Sequence, residues 1–165
     1  MNFLNYYTEH GKFTDPHGFI YLFDQLPDKI EELVSIIQGV LLLDVDIGTL
    51  GYSPPIDRWK EVELRYVSKM LRKILELDNK PLFENRKVNK KLIVTCRDFK
   101  VLLCSILRHK KIPARVRFGF HKHHYIYCDS TALEYWRAEE NRWCVVDFVR
   151  TAENIYVQCR LRLRW

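Results

Sequence analysis

Cys96 opens the run Cys96-Arg-Asp-Phe-Lys-Val-Leu-Leu-Cys-Ser-Ile-Leu-Arg-His109. The spacing of Phe99, Leu102, Leu103 and Leu107 in that run predicts a helix with one buried stripe. A thiol in the first turn of a helix meets backbone N–H groups and a dipole that favour an anion. That is the setting of a nucleophilic thiolate, and the same N–H groups can stabilise a developing oxyanion. The competing reading of any free cysteine is a small buried hydrophobe, and Cys104, two turns further on, is predicted to be that. Downstream, Leu133 to Ala138 and Arg142 to Phe148 flank the polar Glu139, Glu140 and Asn141, which predicts an antiparallel hairpin. Pairing about that turn brings Asp147 level with residues 130 to 132, within about 5 Å, the spacing of a base and the acid that orients it. His121, His123 and His124 lie in the loop just upstream. That loop reads as a solvated, Lys-containing connection, as a source of a swung-in base, or as an adventitious metal binder.

The elements that would position these groups follow from periodicity. Asp15-Pro16 is a cap followed by a first-turn proline, and the stretch to Gln25 puts Phe19, Leu22 and Phe23 on one face. Pro27 starts a second helix with Ile30, Leu33, Val34, Ile37 and Val40 at helical spacing. Gly48, Gly51 and Pro54-Pro55 mark a loop over 44–56. Asp57 then caps a helix from Arg58 to Leu77 whose Lys and Glu residues read as a solvated face. The polar, basic stretch from Asp78 to Thr95, with no clear period apart from the short apolar Leu92, Ile93 and Val94, reads as a surface connection. Beyond the Cys96 helix, Ala114 to Phe120 alternates Val116, Phe118 and Phe120 with Arg115, Arg117 and Gly119, the period of a half-buried strand. Arg115 and Arg117 are therefore expected on the face opposite Val116 and Phe118, either wet or paired with acids.

The chain of 165 residues is 47% hydrophobic and 13% aromatic, which sets it apart from disordered sequences. Its net charge is +6, and the basic residues are scattered, which argues against a nucleic-acid face. Five cysteines without a CxxC pair match neither a disulfide framework nor a zinc site. Reduced thiols in a cytoplasmic protein are the expectation. The start, MNFLNYYTEHGKF, lacks the zones of a signal peptide, and the apolar run Val40 to Leu43 is too short to span a bilayer. No phosphate loop, dinucleotide fingerprint or calcium loop is present, so no cofactor or metal is implied.

Cys96-Arg97-Asp98-Phe99, then Leu102 to Arg108, then Ile112-Pro113-Ala114-Arg115-Val116-Arg117-Phe118-Gly119-Phe120, resemble the core block of the bacterial transglutaminase-like domain family. Glu134-Tyr135-Trp136 and Arg142 to Asp147 are similar to its two further blocks. Tyr6-Tyr7, His10-Gly11, Thr14-Asp15 and Leu26-Pro27 resemble the leader of one branch, so the resemblance covers nearly all of residues 1 to 148. It implies a papain-like thiol fold of the α+β class, with a helical N-terminal half and a central helix from Cys96 packed on an antiparallel sheet. One domain, 1–165, would then divide into a helical segment over 1–80, a catalytic-type core over 92–148 and a tail or edge strand over 149–165.

The resemblance also implies a triad: Cys96 as thiolate, a His as base and Asp147 holding the imidazole. At the position of that His this chain carries Ser130. A serine hydroxyl is far too weak a base to take a thiol proton near neutral pH. His123 and His124 are the candidate substitutes. Two functions follow from the resemblance. One is thiol-dependent acyl transfer or amide hydrolysis on a peptide or protein carboxamide. The other is a catalytically inactive module that binds a peptide or protein partner. The third reading, nucleic-acid binding through the basic tail, rests on net charge alone.

Overall fold

The computed structural model describes residues 3–123, 126–150 and 155–160, and the side chains of residues 3–120, 129 and 131–146. The architecture is mixed α and β. Three α-helices carry the core: α1 (Ile30–Val40), α2 (Val67–Leu77) and α3 (Cys96–His109). Leu33, Val34, Ile37 and Val40 of α1 and Val67, Met70, Leu71 and Ile74 of α2 are buried, at the helical spacing the sequence shows. Each such side chain contributes about 1.5–3 kcal/mol through burial. The helix α3 is central. It packs on α1 and α2 on one side and on the antiparallel sheet on the other, burying Phe99, Leu102, Leu103, Cys104 and Leu107 as expected.

Two predicted helices take a different form. The stretch after Pro16 is a 3-10 helix over His17–Phe23, with Phe23 buried. The helix expected from Arg58 to Leu77 is divided into a 3-10 helix, Ile56–Glu63, and α2. Between them Arg65 has a left-handed backbone, φ 54°, a conformation that ends a right-handed helix. The chain is fastened there, since Val67 N–H donates to Phe13 O at 3.0 Å.

The expectation of a solvated charged face on this segment is corrected at Glu61, which is only 5% exposed. Arg58 clamps it in two parallel bonds, Nε to Oε1 at 2.8 Å and Nη2 to Oε2 at 2.9 Å. Glu61 Oε2 also accepts from Ile93 N–H at 2.9 Å. Arg58 completes its set with Tyr52 Oη, Asn89 O and Lys91 O. A carboxylate with this many donors can leave water.

The stretch 78–95 is a surface connection only in part: residues 79–81, 83–85, 87, 89 and 90 are exposed, but the rest is tied into the core. Leu82, Arg86, Leu92, Ile93 and Val94 are buried, and Leu92–Val94 forms β2, paired in parallel with β1 (Leu41–Leu43). Arg86 is 3% exposed and donates to the carbonyls of Glu84, Asp78 and Lys80 at 3.2, 3.3 and 2.7 Å. It thus closes its own loop from within. Its N–H donates to Gly39 O at 3.0 Å. An ideal Cβ at Gly39 would lie 3.4 Å from Asn85 Cα, so α1 and this loop approach to van der Waals contact at that point.

The antiparallel sheet has the order β3 (Ala114–His123), β4 (Ile126–Arg137), β5 (Arg142–Arg150), β6 (Ile155–Arg160). The β4–β5 turn falls at Ala138–Glu140, with Asn141 left-handed at φ 48°, a position that Asn tolerates. Leu133 faces Val146 and Tyr135 faces Cys144, the register the hairpin reading predicts. Arg115 and Arg117 lie on the face away from α3 and pair with buried Glu134, at 2.6 and 3.2 Å. Val116 packs on the core. Phe118 shares that face yet is 72% exposed, and Phe120 is 68% exposed. Alternation set their face correctly, but α3 covers only the Ala114 end of the strand, so burial of Phe118 is corrected.

Candidate thiol site at the start of α3

Thr95 precedes α3 in extended conformation. The Asp98 carboxylate reaches back to accept from Thr95 N–H at 3.3 Å and from the Thr95 hydroxyl at 2.7 Å. This satisfies a donor that the helix start leaves orphaned. Asp98 is buried, and Arg97 clamps its other oxygen at 3.0 and 2.7 Å. The first turn is therefore rigid without help from a ligand. Asp98→Ala should lower unfolding free energy by about 1–2 kcal/mol, measured in urea, through loss of this cap.

Cys96 is the first residue of that turn and is exposed, whereas Cys104 and Cys144 are buried. Burial pushes the Cys104 thiol up to about 11, so it stays protonated in the core. Cys96 and Lys100 stand four apart and share a helix face. Lys100 Nζ donates to Thr131 O and, at 3.0 Å, to Thr131 Oγ1. This tie, which sequence reasoning missed, fastens the Cys96 turn to β4 at the residue next to Ser130. A Lys four residues after a helix-start cysteine was the available signal, but without knowledge of the facing strand it reads as surface charge.

The loop expected around His121 and His123 is corrected, because both belong to β3, whose pairing with β4 continues to His123 opposite Ile126. Ser130 pairs with Gly119, and Asp147 pairs with Gln158 one step past the Leu133–Val146 pair. The side chains of Ser130, Asp147, His121 and His123, and the whole of His124, lie outside the described residues. So does any contact of theirs with Cys96. His109 stands at the far end of α3, about 20 Å along the axis from Cys96, and its Nε2 lies 3.1 Å from Asp24. It is no base for this thiol.

The opposite face of the sheet carries a packed polar cluster. Arg115 lies 4.1 Å above the Trp143 ring and 5.3 Å from the Tyr7 ring while bonded to Glu134. It holds the N-terminal segment to the sheet through stacking and charge. Among the described residues no group of three His, Cys, Asp or Glu could hold a metal ion, and no helix is long and apolar enough to cross a membrane.

No protein-family model, no curated protein and no solved structure matches this chain.

Proposed function

We propose that this chain is a transglutaminase-like thiol protein in which Cys96 attacks a peptide or protein carboxamide, with turnover held low because Ser130 stands in the place of the base. The observation that carries the reading is the exposed Cys96 in the rigid first turn of α3, docked through Lys100 beside position 130 of β4. In this scheme the thiolate adds to the carboxamide carbon, ammonia or an amine leaves, and the thioester passes its acyl group to an amine or to water. Asp147 is the group that would orient an imidazole at position 130. The second reading, a module that binds a peptide or protein partner without turnover, is favoured by Ser130 itself.

Iodoacetamide labelling, followed by mass spectrometry on the Cys96 peptide, tests the scheme. The wild-type thiol should label in the folded protein while Cys104 and Cys144 are protected. Ser130→His should raise the Cys96 labelling rate at pH 6 by about tenfold, since an adjacent imidazole favours the thiolate. The same variant should release ammonia from a glutamine peptide, and Cys96→Ser added to it should abolish that release. An unchanged labelling profile in Ser130→His would mean that position 130 does not face Cys96. Faster labelling without ammonia release would favour the binding module. If wild-type Cys96 reacts near pH 5 and loses that reactivity on mutation of His123 or His124, a relocated base is at work.

A further inference from the structure

Residues 11–14, Arg65, one side of α3 and Val116 and Phe118 of β3 line a half-open pocket of about 330 Å³, within the size range of small-ligand sites. Its charged lining has one sign. Lys12, Arg65, Arg97 and Arg108 border it, and no Asp or Glu does among the described residues. Two of these cations have a carboxylate of their own: Arg65 lies 2.9 Å from Glu63, and Arg97 lies 2.7 Å from Asp98. Arg108 is different. It donates to Glu9 O at 2.7 Å, Ala114 O at 2.9 Å and Thr14 Oγ1 at 3.5 Å, all neutral oxygens. Its guanidinium is held in place by these bonds without being neutralised. Lys12 is exposed and has no ion pair among the described residues.

The other walls are apolar: Phe13, Val101, Val116 and Phe118, with the buried Cys104 beside them. Because burial keeps the Cys104 thiol protonated, it adds no negative charge. Phe118, 72% exposed, has one side on this space. A fixed guanidinium with an uncompensated charge, beside an apolar wall and partly screened from water, is where a ligand carboxylate gains a charge-assisted hydrogen bond.

We propose that this cavity binds a small amphipathic monocarboxylate, an aryl- or alkyl-substituted acid, with its carboxylate toward Arg108 and Lys12 and its apolar body against Phe13 and Phe118. Cys96 does not line the cavity, so the proposal stands independently of the thiol chemistry.

The test is titration of 4-phenylbutanoate into the full chain, followed by NMR or calorimetry. A Kd on the order of 1 mM is expected for a ligand of this size. The neutral 4-phenylbutan-1-ol should bind about tenfold more weakly, and equimolar inorganic phosphate should not displace the acid. Lys12→Glu should weaken the acid about fivefold and leave the alcohol unchanged, while Phe118→Ala should weaken both. These two side chains are exposed, so both variants should fold. No saturable binding of the acid, equal binding of acid and alcohol, displacement by phosphate, or indifference to Lys12→Glu would each overturn the proposal.

Discussion

Glu61→Ala should lower the unfolding free energy by about 3–5 kcal/mol, the usual consequence of removing one partner of a buried ion pair. The loss does not measure the attraction of the pair. It arises because Arg58 is left desolvated beside an empty site and Ile93 N–H loses its acceptor. Urea unfolding with an unchanged slope would show the full effect as a shift of midpoint. The double variant Arg58→Met with Glu61→Leu should be less destabilised than Glu61→Ala alone, since it removes both charges and keeps the volume. A single variant within about 1 kcal/mol of wild type would show that water reaches the pair. The effect reaches the candidate site, because Glu61 holds β2, and Thr95 and Cys96 follow directly from its end. Looser anchoring of Ile93 should broaden the rates at which Cys96 labels.

Arg86→Met should cost a similar amount, about 3–5 kcal/mol, for a different reason. Arg86 lies within ion-pair distance of no carboxylate among the described residues, and burial pushes its guanidinium below its ordinary value. What it supplies is donors, given to the carbonyls of Asp78, Lys80 and Glu84. Methionine keeps the apolar stem and removes every donor, leaving carbonyls unsatisfied at about 1–3 kcal/mol each where water cannot reach them. Arg86→Lys should recover only a fraction of the loss, because one ammonium cannot reach the same spread of acceptors. If Arg86→Lys equalled wild type, charge alone would explain the position and the fork geometry would not.

Both predictions fall in stretches that sequence reasoning treats as solvent-facing. Periodicity records where apolar residues recur, and it locates α1, α3 and the hairpin because their burial is local to one stripe or one alternating face. It is silent on charge. Whether a Glu or an Arg is buried depends on donors and acceptors brought from other regions of the chain, as when Arg58 meets Asn89 and Lys91 or Lys91 Nζ meets Gln38 O. The three-residue pairing of β1 with β2 is hidden in the same way, since runs this short carry no period and their partner is remote in sequence.

The thiol site divides along the same line. The sequence by itself determined that a cysteine opens a long amphipathic helix, that Cys104 is core, and that serine stands where the resemblance implies a histidine. Local chemistry suffices for each of these. Only the tertiary structure decided that Cys96 is exposed, that Lys100 moors its turn to Thr131, and that Phe118 turns from core into cavity wall. A strand's alternation sets which face a side chain takes, but how far a helix reaches along that face is a property of packing between distant elements. The single sign of the cavity's charge has the same origin, since Lys12, Arg65, Arg97 and Arg108 come from separate segments and become one field only when those segments meet.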